Sequence, residues 1–211
     1  MSLLLLILGG YPCLAQQADI DLFPRVTLGL SGGVFRPALD EMNDDHRKGV
    51  LFSAHLAVEA IKLTDSQRLY GVVQLNQFGA TKFGPGARAL RGGPVSLLKW
   101  EMRTMNYGLR YALRLFGWKA VSWAGGGLAT IVLDRIELRT RTEGFEVVEF
   151  EIRDRFRSTG YYVEAGQLVQ TFLFNARPRI GLFWNAKYDH GCSEAQPIGG
   201  FSLRAGALVG L

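Results

Sequence analysis

The stretch Thr104–Arg114, TMNYGLRYALR, decides the fold. Met105, Tyr107, Leu109, Tyr111 and Leu113 occupy one parity; Thr104, Asn106, Gly108, Arg110, Ala112 and Arg114 occupy the other. A period of two sends the two sets to opposite faces of a β-strand, whereas a helical period of 3.6 would mix them.

The same alternation recurs on both sides of this run. Upstream it is read in Arg25–Phe35, Phe52–Ile61 and, less cleanly, Leu69–Phe78. Downstream it is read in Val121–Leu133, Ser158–Gln170, Arg179–Tyr188 and the run Phe201–Leu211. In Val121–Leu133 the apolar parity is Val121, Trp123, Ala129, Ile131 and Leu133, against Ser122, Ala124, Gly126 and Thr130. The connections alternate in length. Thr64–Gln67, Leu115–Trp118 and a stretch around Asn175–Pro178 are short, while Arg36–Gly49, Gly79–Ser96, Asp134–Arg157 and Asp189–Gly200 are long. Short and long links in turn describe an up-and-down antiparallel barrel with turns at one rim and loops at the other. The expected fold is therefore all-β: an eight-stranded antiparallel up-and-down transmembrane β-barrel.

The link Asp134–Arg157 is itself strand-like. Ile136, Leu138 and Thr140 alternate with Glu137, Arg139 and Arg141, and Val148, Phe150 and Ile152 alternate with Glu149, Glu151 and Arg153 around a turn at Thr142-Glu143-Gly144. It is expected to be a protruding hairpin that extends strands five and six, with opposite charges across it. A count of ten strands competes with eight. Its six Arg and seven acids make a charge-balanced ribbon and not a nucleic-acid patch.

Composition narrows the class. The chain has 211 residues, 20% of them charged and 48% hydrophobic, a net charge of +5, and only 2 Cys. Such a chain is too apolar for disorder and too poor in Cys for a disulfide scaffold. No apolar run beyond the first fifteen residues approaches the ~20 needed for a membrane helix. Residues 1–15, MSLLLLILGGYPCLA, read as a signal peptide cut after Ala15, with small residues at Cys13 and Ala15. Residues 16–24 are then a lead and 25–211 the barrel, and Cys192 is the one cysteine left.

A soluble lipocalin-like barrel shares the alternation, and the polar parity separates the two. It holds Gly29, Gly33, Gly108, Gly126, Gly160, Gly166, Gly181, Gly206 and Gly210, with Ala57, Ala112 and Ala124. Glycine weakens a water-exposed strand and gains nothing there. Small residues do suit the narrow inside of an eight-stranded barrel. The apolar parity is bulky, with Tyr107, Tyr111, Trp123, Tyr161, Trp184 and Tyr188 expected as a lipid-facing aromatic girdle.

At this point the chain resembles the small outer-membrane β-barrel proteins of Gram-negative bacteria, in the broad group of outer membrane protein β-barrel domains that includes PorT-like and opacity-like proteins. The resemblance spans about Arg25 to Leu211. It is carried by RVTLGLSGGVFRP, FSAHLAVEAIKL, MNYGLRYAL and the terminal FSLRAGALVGL. Many such barrels end in Phe, a signal for the outer-membrane assembly machinery; here the last residue is Leu211. The resemblance implies export to the bacterial outer membrane, contact with outer-membrane lipid and lipopolysaccharide, and a non-enzymatic scaffold whose extracellular loops serve adhesion or envelope interaction. No cofactor, metal or nucleic acid is expected.

The inward parity is expected to hold an ion-pair network of Glu59, Arg110, Arg114, Glu164, Arg179, Lys187 and Arg204. With five bases to two acids, an alternative function is a narrow anion-favouring channel, gated by Glu59 or Glu164 exchanging partners between Arg110 and Arg204. His55 and Glu59 share a face but lie ~13 Å apart along a strand, too far for a dyad. Asp189, His190, Ser193 and Glu194 supply hydrolase residue types, as in outer-membrane lipid A deacylases, without triad geometry. Asp40, Glu41, Asp44, Asp45 and His46 form an acidic loop cluster that reads as solvated. Arg88 and Arg91, supported by Lys99 and Arg103, are placed where lipopolysaccharide phosphates could be touched.

Overall fold

The computed structural model describes residues 23–38, 49–83, 95–114, 120–143, 146–170, 179–192 and 197–211. Eight strands run β1 (Val26–Pro37), β2 (Gly49–Thr64), β3 (Gln67–Phe83), β4 (Val95–Arg114), β5 (Ala120–Glu143), β6 (Glu146–Gln170), β7 (Arg179–Cys192) and β8 (Pro197–Gly210). Each is hydrogen-bonded to the next, and β8 closes on β1, so the sheet is a closed barrel of eight antiparallel strands. The closing ladder runs from Thr27 opposite Gly210 to Pro37 opposite Gly200.

The count is eight and not ten. Residues 134–143 and 146–157 are continuous with β5 and β6, and their ladder is unbroken from Ala120–Val169 to Glu143–Glu146. Opposite charges do meet across it, at Asp134–Arg155 and Arg135–Asp154. Strand also reaches farther than the loop boundaries expected from sequence. β3 continues to Phe83 and β4 begins at Val95, while β7 and β8 run to Cys192 and from Pro197, so most of the expected loop Asp189–Gly200 is ladder.

The outward face is apolar. Leu28, Phe52, Leu75, Leu109, Leu182 and Leu203 all lie on it and are exposed, and Leu128 reaches 71% exposure. Tyr107, Tyr111, Tyr161 and Trp184 are exposed on the same face, with Tyr188 half-buried beside them. Trp123 is a correction to the expected girdle. It is 7% exposed and points inward, as do Val121, Ala129, Ile131 and Leu133. The outward parity of β5 is instead Ser122, Ala124, Gly126, Leu128 and Thr130, so Ala124 and Gly126 do not line the lumen. The error has a physical source: β5 is apolar on both faces, because it also fills the interior.

That interior is layered. At the short-turn rim a buried cluster gathers Phe23, Ala57, Tyr70, Val72, Ala112, Val121, Trp123, Leu168, Phe183 and Leu208. Phe23 belongs to the lead before β1; Pro24 beside it accepts a hydrogen bond from the Tyr70 hydroxyl at 3.1 Å. Toward the long-loop rim a second cluster gathers Phe35, Leu51, Phe78, Leu98, Trp100, Met102, Ile131, Leu133, Tyr162 and Ile198, among others. Inward glycines make room for these large groups. A Cβ at Gly29 would collide with the His55 ring, and one at Gly166 would lie 2.7 Å from the Trp123 indole.

A charge on the outward face has no such shelter. Leu109→Arg or Leu182→Arg is expected to destabilise the barrel in lipid by about 2–4 kcal/mol, the cost of a basic residue near the middle of a bilayer. Equilibrium unfolding from lipid vesicles measures it, and a change within experimental error would mean that this face does not meet lipid.

Candidate functional site

Between the two apolar layers lies a polar one, built from the inward parity of six strands. Its centre is Glu164 on β6. One carboxylate oxygen accepts from Arg110 Nε at 2.9 Å and Nη2 at 2.7 Å. The other accepts from Gln74 Nε2 at 2.7 Å and Asn185 Nδ2 at 2.9 Å, with Arg204 Nη2 at 3.6 Å. Charge-assisted bonds of this kind are the strong ones, and this carboxylate receives four.

Arg204 on β8 spreads the network around the ring. Its Nε donates to Asn185 Oδ1 at 2.8 Å, and its Nη1 donates to Ser53 Oγ at 2.9 Å and to Asn76 Oδ1 at 2.7 Å. Asn76 donates in turn to Thr104 Oγ1 and Asn106 Oδ1, and Asn106 donates to Asp189 at 2.7 Å. Asp189 pairs with Lys187 Nζ at 2.8 Å, and that ammonium lies 5.0 Å from the centre of the Tyr162 ring. Arg110 also faces the ring of Trp123 at 4.9 Å, which ties the polar layer to the apolar one beneath it.

Arg110, Glu164, Lys187 and Arg204, all expected in the lumen, therefore meet there. Glu59 does not join them. It pairs with Arg68 Nε at 3.4 Å near the short-turn rim, where Arg68 also faces the Phe23 ring at 4.9 Å. Arg114 is half-buried at the same rim, four residues and ~13 Å of strand from Arg110. Arg179 opens β7, and its side chain lies outside the described residues. The sequence reading missed the amides Gln74, Asn76, Asn106 and Asn185, and it missed Asp189 by placing it in a loop. The alternation that puts Trp184, Ala186 and Tyr188 outward puts Asn185, Lys187 and Asp189 inward, and it was the usable signal.

A second ionic group stands nearer the long-loop rim. Glu137 is held between Arg135 Nη2 at 2.9 Å and Arg139 Nη2 at 2.6 Å, all three buried on β5, and Arg135 faces the Trp100 ring at 5.2 Å. On the outward side of the same ribbon, Asp134 accepts from Arg155 at 2.6 and 3.1 Å. The Arg155 guanidinium holds the Asp134 carboxyl below its ordinary 3.8.

Among the described residues of the Asp189–Glu194 segment, Asp189 and His190 do not come together. Asp189 points into the lumen and His190 outward, so the strand separates them; residues 193–196 lie outside the described residues. His55 is buried edge-on to Phe183 at 5.1 Å between ring centres. The acidic cluster Asp40–His46, the segment with Arg88 and Arg91, and the expected leader at residues 1–15 also lie outside the described residues.

No protein-family model and no curated protein matches the chain. Among solved structures it is similar to Neisserial surface protein A, at 10% identity over 88% of this chain and 96% of that one, with a TM-score of 0.52. It is also similar to Ail, the attachment invasion locus protein of Yersinia pestis, solved with the heparin analogue sucrose octasulfate, at 12% identity, 87% and 99% coverage and a TM-score of 0.47. The N-terminal β-barrel domain of Pseudomonas aeruginosa OprF gives 11% identity, 89% and 98% coverage and a TM-score of 0.46. The likeness to the Neisserial protein bears on the fold alone.

Two outcomes are expected. Glu164→Gln leaves Arg110 and Arg204 buried beside a neutral amide and costs about 3–5 kcal/mol, the usual penalty for breaking a buried pair; denaturant unfolding in detergent measures it. For Asp134, a folded-state value below the ordinary 3.8 means that its stabilisation is complete above that pH and is lost as pH falls through the folded value. The protection of amides in residues 134–143 and 146–155, taken relative to the intrinsic exchange rate at each pH, should therefore fall in acid, and Asp134→Asn should abolish that loss.

Proposed function

We propose that the chain is a non-enzymatic barrel of the bacterial outer membrane, a rigid lipid-embedded scaffold that displays its long loops, and the β5–β6 ribbon above all, for adhesion or envelope interaction. One observation carries the reading: an apolar exterior encloses an interior closed by two hydrophobic clusters with a hydrogen-bonded ionic layer between them. Outward apolar rows belong in lipid, and an inside packed in this way leaves the outer loops as the place for recognition. By the usual arrangement the short-turn rim faces the periplasm and the long-loop rim the exterior. Export by a leader cut after Ala15, insertion by the outer-membrane assembly machinery and contact with lipopolysaccharide belong to the same proposal.

The anion path is disfavoured by the packing. Glu164 engages Arg110 and stands beside Arg204 at the same time, so no exchange between them is needed to satisfy either. Bulky groups above and below, such as Trp100 and Trp123, would also have to leave.

Fractionation followed by a heat-modifiability gel tests the scaffold. The protein should stay with the outer membrane and migrate differently when unboiled. Replacing residues 140–149 by a two-residue turn should keep that behaviour and abolish attachment to the partner surface. Steady conductance in planar bilayers that Arg110→Ala alters would favour transport instead, and release of acyl chains from lipid would favour an enzyme.

A further inference from the structure

The outward face is not uniform. An open groove of about 630 Å³ crosses five strands, from β1 to β5. Register places Leu30, Ala54, Leu75, Met105 and Thr130 in one row across it. The next row toward the long-loop rim reads Phe52, Gln77, Arg103, Val132 and then Arg157 on β6. The first row is apolar but for one hydroxyl. The second carries two cations, an amide and no acid. Arg103 is 59% exposed at its side chain, and Arg157 is exposed. They stand two strands apart, about 10 Å between backbones, with Val132 between them.

We propose that this groove binds one phosphate-bearing, multiply acylated glycolipid of the outer leaflet. An acyl chain lies along the Leu30–Thr130 row, and Arg103 and Arg157 hold the headgroup phosphate between them. The inference rests on the membrane-barrel reading and deepens it by locating a lipid site.

Three features support it. Five strands span about 19 Å at ~4.8 Å each, the scale of a long acyl chain. Strands of such barrels tilt by about 35–45°, so a row across them runs obliquely through the leaflet and not flat within it. The two guanidinia sit at the edge of the apolar belt nearest the long loops, at headgroup depth, and two arginines converging on a phosphate give charge-assisted, directional bonds that apolar packing alone does not. Ala54 matters as a small residue in the middle of a row of larger ones, since it sets the depth of the groove. The row beyond differs: Glu101 and Asp134 accompany Arg155 there, Asp134 paired with Arg155 and Glu101 with Lys99, and Glu101 also reaches Arg103 Nη2 at 3.4 Å, a long, exposed contact that a phosphate would share or displace.

The test titrates the full-length barrel, purified in non-ionic detergent, with hexa-acyl lipid A and reads complexes by native mass spectrometry. One lipid A per barrel is expected. Lipid A stripped of its phosphates should bind at least tenfold more weakly, a comparison that needs no variant. Arg103→Ala with Arg157→Ala should also weaken binding at least tenfold, and Ala54→Trp, which fills the groove, should do so with both arginines intact. Equal binding of the phosphate-free lipid, or full binding by both heat-modifiable variants, would overturn the site. Phosphatidylglycerol binding as tightly as lipid A would overturn the choice of glycolipid. A barrel that is heat-modifiable yet binds no lipid A sinks only this site, whereas a protein absent from the outer membrane sinks the reading beneath it.

Discussion

Closure of the sheet is the constraint on which the rest depends. Once β8 pairs with β1, every strand has one face outside and one inside, and no edge is left along the ring. Side chains then have two destinations only. Those outside must suit their surroundings without help from one another, and the apolar rows through Leu109, Leu182 and Leu203 do so. Those inside must fill a bore of eight strands, in which every polar group needs a partner within reach. Glu164 solves the second problem by taking donors from Arg110, Gln74 and Asn185, which come from three different strands.

The ionic layer has a consequence for register. Buried ion pairs recover the cost of desolvation only with good geometry, and an apolar replacement often does as well. What apolar packing does not supply is a penalty for misalignment. A slip by one residue would send Arg110, Glu164 or Arg204 into the outer face and Leu109, Val163 or Leu203 into the lumen. A barrel whose inside were apolar throughout would tolerate that slip more easily. The layer sits between two hydrophobic clusters and links β2, β3, β4, β6, β7 and β8. Its partners fit in one register, and the hydrophobic layers shield it from water at both ends.

How much of this was legible in the sequence depends on the strand. β4 from Thr104 onward, β7 and β8 keep most apolar and polar residues on separate parities, so alternation alone turns Tyr107, Trp184 and Phe201 outward, whereas the first half of β4 reverses the pattern and turns Leu98, Trp100 and Met102 inward. β5 does not. Leu128 and Ala129, or Ile131 and Val132, offer both faces apolar side chains, and hydrophobicity then cannot say that Trp123 turns inward. The layering was also hidden, for a different reason. Phe35, Phe78 and Trp100 come from three strands, and only the register brings them to one level. Local periodicity reports the face of a residue and not its height. Glu59 shows the same limit: it shares an inward face with the central network, yet its height pairs it with Arg68.

Height is also what separates recognition from packing in this fold. Within the belt, inward side chains are locked and outward ones are apolar, so neither can change freely. Above it, β5 and β6 continue as a ribbon while β7 pairs with β6 only as far as Gly160–Gly191. There the outward side of β6 carries Arg153, Arg155 and Arg157, and exposure rises on its other side too, at Phe150 and Phe156. Exposed charges cost little in water and would cost several kcal/mol in lipid. The ribbon is thus free to carry chemistry that the belt forbids, and the ladder that holds it is an extension of the one that closes the barrel. The stiffness of the closed sheet is carried into this ribbon by β5 and β6, with β4 paired to β5 as far as Val95–Arg139 and β3 to β4 as far as Phe83–Leu97.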